Sequence, residues 1–134
     1  MAKILVVEDN ALNIKLFCDL LAAHGHQPEG VLDSREALDA ARAFKPDLVI
    51  TDIQLPHVTG LELMEMIRKD DDLKDVPIMA VTAYSGVGDD ERIRAAGAQA
   101  YVSKPISVVR FAETVEDLLA GKNQLAQTPN PQGA

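Results

Sequence analysis

Short apolar runs alternate with helix-like segments along the chain, and this alternation limits the possible fold more than any other feature. Ile4 to Val7 is too short for a helix and ends at two acidic residues, as expected for a buried strand. Further strands are predicted at 27–32, 47–52, 77–82 and 100–103, the first of them weakly. Strands that alternate with helices imply right-handed crossovers and a doubly wound parallel α/β sheet.

Helices are predicted between these strands: at 11–23, before Pro46, from Thr59 to the acidic run at 70–72, at 89–96, and from about Val108 to Gly121. In the first helix, Leu12, Leu16 and Leu20 recur at helical spacing, flanked by Phe17 and Leu21. We therefore expect these residues to form the core face of the helix.

The length of 134 residues fits one domain. We place this domain at residues 1–121, because residues 122–134 consist mainly of Gln, Asn, Thr, Pro and Gly with little apolar content. Such a composition cannot form a core, so a disordered C-terminal tail is predicted.

Charge and cysteine content exclude several classes of function. A formal charge of −8 argues against nucleic-acid binding, which depends on Lys and Arg at the phosphates. Cys18 is the only cysteine, so no internal disulfide forms, as is typical of reducing compartments. No segment approaches the ~20 apolar residues of a membrane span, and no signal peptide is recognisable. We expect a cytoplasmic protein with no membrane insertion.

Reactive polar groups follow four of the predicted strands. Glu8 and Asp9 follow the first strand, Asp52 ends the third, Thr82 ends the fourth and Lys104 follows the fifth. The carboxyl ends of parallel strands share one edge of the sheet, where such folds bind ligands. We therefore expect three carboxylates, one hydroxyl and one ammonium group to meet there.

This set of groups suits cation-assisted phosphoryl transfer. The first strand-to-helix turn carries Glu8 and Asp9 in place of a glycine-rich phosphate loop, so it favours Mg²⁺ over a bare phosphate. Asp52 supplies a third carboxylate and can attack phosphorus as a nucleophile. Lys104 and Thr82 would bind the phosphoryl oxygens.

Several motifs together resemble the response regulator receiver domain, over Ala2 to about Ala120. They are Val7-Glu8-Asp9-Asn10, Thr51 to Pro56 with Gly60, Ala80 to Ala83, and Ser103-Lys104-Pro105. The stretches 13–17, 70–73 and 104–109 are similar, more narrowly, to single-domain receivers of the DivK type.

The resemblance implies a flavodoxin-like (βα)5 sheet in the strand order 2-1-3-4-5, with Asp52 as phosphoacceptor. It implies Mg²⁺ held by Glu8, Asp9, Asp52 and the Gln54 carbonyl, and a phosphoryl group bound by Thr82 and Lys104. It also implies a cis peptide bond before Pro105.

Three further roles follow from the resemblance alone. Thr82 would move inward after phosphorylation, and Tyr101 would swing toward the space it leaves. Gln54 and Tyr84, each two residues after a site residue, occupy positions that tune the lifetime of the acyl phosphate in the family.

The resulting hypothesis is a stand-alone response regulator that receives phosphate from a sensor histidine kinase or a histidine phosphotransfer protein. Residues 122–134 are too few for an output domain, so signalling through contact with a downstream protein is expected. Beyond self-phosphorylation and autodephosphorylation, no enzymatic activity is expected. The alternatives are an interaction module that does not depend on phosphorylation and, less favoured, a phosphatase of the haloacid-dehalogenase type.

Overall fold

The computed structural model describes residues 2–83 and 89–121, and of Asp89 and Asp90 the backbone alone. Five strands form one parallel sheet: β1 (Lys3–Val7), β2 (Gln27–Val31), β3 (Leu48–Asp52), β4 (Ile78–Thr82) and β5 (Ala100–Ser103). Their order in the sheet is β2-β1-β3-β4-β5, which confirms the expected 2-1-3-4-5 arrangement.

A helix follows each strand: α1 (Ala11–Ala23), α2 (Ala37–Phe44), α3 (Gly60–Arg68), α4 (Asp89–Ala96) and α5 (Val108–Leu119). Side-chain caps start several of them. The Asn10 side chain accepts hydrogen bonds from two backbone N–H groups at the start of α1, and Thr59 forms a capping box with Glu62 before α3. A single 3-10 turn, Ser34–Glu36, precedes α2.

The helices cover both faces of the sheet. Side chains alternate between the two faces along a strand, so β1, β3, β4 and β5 contribute to two apolar clusters, while β2 contributes Val31 to one of them. Buried residues of α2, α3 and α4 complete one cluster, and those of α1 and α5 complete the other. In the second cluster the Phe17 and Phe111 rings stack, with centroids 5.3 Å apart. This three-layer packing fixes the strand ends that carry the polar groups.

The core face predicted for α1 is wrong at Leu12 and Leu16 but right at the flanking Phe17 and Leu21, and Leu20 is half-buried against the core. Leu12 is 78% exposed and Leu16 is 44% exposed, whereas Phe17 and Leu21 are buried. The buried stripe also includes the half-buried Ile14, so its spacing is i, i+3 and i+7. The two stripes lie side by side on one helix, and the sheet covers the one that contains Phe17.

None of the described helices combines the length and the apolar content that a bilayer crossing requires. The predicted C-terminal tail at 122–134 lies outside the described residues, as does Tyr84.

Candidate functional site

Strand pairing places the acidic residues of the site at the same edge. Val7 is in register with Thr51 on the neighbouring strand, so Glu8 and Asp52 each stand one position beyond this pair. Both side chains are buried, with 1% and 6% of their surface exposed. Asp9 is exposed beside them. A parallel sheet therefore brings together carboxylates that are 44 positions apart in the chain.

Asp52 is held by two donors from different parts of the chain. The Lys104 ammonium group donates to Oδ2 at 2.6 Å, and the backbone N–H of Gln54 donates to Oδ1 at 3.0 Å. These contacts fix the carboxylate at the surface end of β3. It is poised as a nucleophile or a metal ligand, and both roles require an ionised carboxylate.

Glu8 is the most deeply buried acid of the site. Its Oε1 accepts hydrogen bonds from Lys104 Nζ at 2.9 Å and from the Asn13 amide at 3.1 Å. Its Oε2 is buried and accepts no hydrogen bond from any residue that the structure describes. Burial raises the pKa of Glu8, Lys104 opposes this rise, and the nearby Asp52 and Asp9 carboxylates add to it.

Lys104 links the two buried carboxylates. Its backbone N–H donates to the Thr82 carbonyl at 2.7 Å, which continues the pairing of β4 and β5 beyond Ser103. The peptide bond from Lys104 to Pro105 is cis. Burial acts to lower the pKa of Lys104, but the hydrogen bonds to Asp52 and Glu8 outweigh it, so this pKa is raised. The ammonium group therefore stays charged.

The remaining predicted residues lie around this centre. Thr82 is buried at the end of β4, and Gln54 is exposed just after β3. Tyr101 is half-buried in β5, in register with Ala80 of β4, and packs against the apolar cluster of α2, α3 and α4. Tyr84 cannot be placed, since it lies outside the described residues.

The acidic cluster has the properties of a metal site. One carboxylate oxygen from each of Glu8, Asp9 and Asp52 lies within 4.8 Å of the other two. Oxygen-rich clusters of this kind suit hard divalent cations. The buried Glu8 Oε2 has no donor among the described residues, and a cation would neutralise it. The residues present therefore fit a divalent metal ion.

Sequence reasoning did not assign roles to Asn13 and Gly60. The Asn13 amide orients Glu8 from the first turn of α1. Gly60 packs so closely on β3 that an added Cβ would overlap the Asp52 carbonyl oxygen, and its N–H donates to the Ile53 carbonyl at 2.9 Å. A glycine at the start of a predicted helix was the available signal for this close approach.

Fold and site define a class of signalling protein. The model of the response regulator receiver domain matches residues 4–116, and the chain belongs to this family. The "Polar-differentiation response regulator DivK" of Brucella anthropi is 51% identical over 116 residues, covering 87% of this chain and 94% of that protein. The protein of the same name from Brucella ovis is 50% identical with the same coverage.

Solved structures agree with this assignment. The chemotaxis response regulator CheY4 of Vibrio cholerae matches with a TM-score of 0.83 and 28% identity, covering 88% of this chain and 98% of that chain. The signal receiver domain of a histidine kinase from Syntrophus aciditrophicus matches with a TM-score of 0.83 and 31% identity, covering 90% and 92%. The chain is thus a receiver of two-component signalling.

Proposed function

We propose that this chain is a stand-alone response regulator that accepts a phosphoryl group on Asp52 and signals through protein contacts. The observation that carries the proposal is the bridge from Lys104 to both Glu8 and Asp52, beside a buried carboxylate oxygen that has no donor among the described residues. The DivK relative, of which this chain covers 94%, supports a regulator about the size of one receiver. We propose residues 1–121 as that domain and residues 122–134 as a disordered tail.

In the proposed reaction, an Asp52 carboxylate oxygen forms a bond to phosphorus while the bond from phosphorus to the donor's imidazole nitrogen breaks. The imidazole keeps the electron pair and takes up a proton from solvent. Lys104 lies 2.6 Å from the Asp52 carboxylate and is placed to bind a phosphoryl oxygen by charge. The buried Thr82 hydroxyl, at the end of the adjacent strand, would bind another.

Glu8, Asp9, Asp52 and the Gln54 carbonyl would hold Mg²⁺ in this reaction. The cation supplies positive charge that offsets carboxylate repulsion and the negative charge of the phosphoryl group. Its fit to the chain is supported by the three carboxylates within 4.8 Å of one another.

We further propose Thr82 and Tyr101 as the elements that report phosphorylation. Tyr101 is half-buried in β5, next to β4, and its neighbour in register is Ala80, two positions before Thr82. Gln54 and Tyr84 are proposed to tune the lifetime of the acyl phosphate.

The donor is proposed to be a sensor histidine kinase or a histidine phosphotransfer protein in the cytoplasm. Four exposed apolar side chains support a protein contact, since such residues on a surface often mark binding sites. They lie on α1 and at the start of α5, the helices that come after Glu8 and Lys104 in the chain: Leu12, Leu16, Val108 and Val109. The downstream target is proposed to be a protein, and the chain's own chemistry to be limited to self-phosphorylation and autodephosphorylation.

Mass spectrometry of the intact protein tests the proposal. We expect incubation with a small acyl phosphate and MgCl₂ to add one phosphoryl group, and Asp52→Ala to abolish the adduct. Chelation of the metal should strongly reduce it. The matched control is Asp71→Ala, which removes an exposed acid in the turn after α3 and should leave the adduct unchanged. An adduct that persists in Asp52→Ala would refute Asp52 as the acceptor.

A further inference from the structure

The loop between β3 and α3 is anchored by a residue that is distant in the chain. The Ser34 hydroxyl donates to the Pro56 carbonyl at 2.8 Å and accepts from the Val58 N–H at 3.3 Å. Ser34 is buried, with 3% of its surface exposed, in the 3-10 turn that follows β2. One hydroxyl therefore satisfies two backbone groups of a loop that it does not belong to.

These two bonds close a turn around His57. His57 has a φ of 69°, in the left-handed region that non-glycine residues seldom adopt. Its neighbours on either side, Pro56 and Val58, are the two residues that Ser34 binds. The hydroxyl thus bridges the two ends of the turn and supports an unusual backbone conformation at its centre.

The same loop carries the backbone that serves the site. Gln54, two residues before Pro56, donates its N–H to Asp52 Oδ1 at 3.0 Å, and its carbonyl is a proposed ligand of Mg²⁺. The far end of the loop is fixed where the Gly60 N–H donates to the Ile53 carbonyl at 2.9 Å. Ser34 supplies the fixed point between these two ends.

We infer that Ser34 is a positioning residue for the metal site, acting through the backbone of the β3–α3 loop. The inference rests on the proposed function, since it concerns how well the loop presents Gln54 to Mg²⁺. Without the hydroxyl, the Pro56 carbonyl and the Val58 N–H lose their shared partner, and the turn at His57 loosens. Groups that orient metal ligands affect metal affinity although they do not touch the metal.

Titration calorimetry with MgCl₂ alone tests this inference on the Ser34→Ala variant. We expect the Mg²⁺ dissociation constant to rise about fivefold, the factor that corresponds to one lost neutral hydrogen bond. In the metal-free variant, the Val58 and Gln54 amides should exchange with solvent faster than in the unsubstituted protein. The phosphorylation rate at saturating Mg²⁺ should stay the same, while the Mg²⁺ concentration for half the maximal rate rises.

The matched control is Thr114→Val, which removes another buried hydroxyl. Thr114 donates to the Arg110 carbonyl at 2.8 Å within α5, away from the β3–α3 loop. Unchanged Mg²⁺ affinity in Ser34→Ala, or an equal loss in both variants, would overturn the inference. Failure of the unsubstituted protein to bind Mg²⁺ or to form the adduct would instead refute the proposed function.

Discussion

Buried polar groups are paired differently at the two ends of the parallel strands. We call the side of the sheet where the strands begin the amino edge, and the side where they end the carboxyl edge. At the amino edge, the Arg68 guanidinium donates to the carbonyls of Lys74, Val76 and Gly97 and to Gln99 Oε1, at 2.6 to 3.1 Å. At the carboxyl edge, Lys104 alone bridges two buried carboxylates, and Glu8 Oε2 accepts no hydrogen bond from the described residues. The polar groups around Arg68 are therefore paired within the chain. The buried Glu8 oxygen is one that a cation would neutralise.

This difference separates stability from function within one sheet. A buried oxygen without a donor costs free energy, so a chain selected for stability alone would not keep one. Arg68 instead donates to carbonyl groups in the segments before β4 and β5 and so links these two segments. We therefore expect substitutions at the amino edge to lower the free energy of unfolding whether or not Mg²⁺ is present. For substitutions at the carboxyl edge, we expect the loss to depend on Mg²⁺.

Lys104→Met should have the largest effect. Lys104 is partly buried, but its removal leaves the two buried carboxylates without a cation, so the free energy of unfolding of the metal-free protein should fall by about 3 kcal/mol. Saturating MgCl₂ should restore much of this loss, because the cation replaces the missing positive charge. Urea unfolding with and without Mg²⁺ measures both quantities.

The control for Lys104 is Lys15→Met, which breaks an exposed ion pair with Asp19 on α1. Exposed pairs contribute little to stability, so this variant should resemble the unsubstituted protein. A loss in Lys104→Met that Mg²⁺ does not relieve would contradict the assignment of the carboxyl edge to a cation.

Arg68→Met should have a smaller effect, of a different kind. The carbonyl groups of Val76 and Gly97 lose a charged donor, and we expect the free energy of unfolding to fall by about 2 kcal/mol. Since Arg68 lies at the other edge, Mg²⁺ should stabilise this variant by the same amount as the unsubstituted protein. The same urea experiments check this, and a larger rescue by Mg²⁺ would show that the two edges are not independent.

The smallest effect is a pH dependence from Glu8. Its pKa is raised in the folded state, mainly by burial, so the folded protein holds this proton more tightly than the unfolded chain. The resulting stabilisation is complete below the ordinary value of 4.5 and is lost as pH rises through the raised pKa. Without metal, Glu8→Gln should lack this decline.

Unfolding free energies of the unsubstituted protein and Glu8→Gln, compared from pH 4.5 upward in the presence of a chelator, measure the contribution. We expect their difference to change in favour of Glu8→Gln as pH rises. A constant difference across that range would mean that burial of Glu8 carries no ionisation cost.

The fold and the proximity of the site residues could both be predicted from the sequence for one physical reason. In a parallel sheet, the residues at the carboxyl ends of the strands lie at one edge, whatever their separation in the chain. The parallel topology was therefore enough to predict that Glu8, Asp52 and Lys104 lie close together. The strand order itself required the resemblance to a known family. The bounds of α1 were also predicted correctly at Ala11–Ala23.

Other features depend on packing that local patterns do not encode. Both Leu12 and Phe17 belong to stripes with helical spacing, and only the position of the sheet decides which stripe is buried. The Ser34 hydroxyl reaches a loop 22 residues further along the chain, at Pro56. That Glu8 Oε2 has no hydrogen-bond partner among the described residues can likewise be seen only once the positions of its neighbours are known.

Intact-mass measurement of the phosphoryl adduct on Asp52→Asn and Arg68→Met, side by side with acyl phosphate and saturating Mg²⁺, tests the division between the two edges. The experiment is done at a temperature at which both variants are folded. We expect no adduct on Asp52→Asn, although asparagine has nearly the same shape as aspartate. We expect a full adduct on Arg68→Met, although this variant is less stable than the unsubstituted protein. An adduct on Asp52→Asn, or its absence from folded Arg68→Met, would contradict the assignment of phosphoryl transfer to the carboxyl edge.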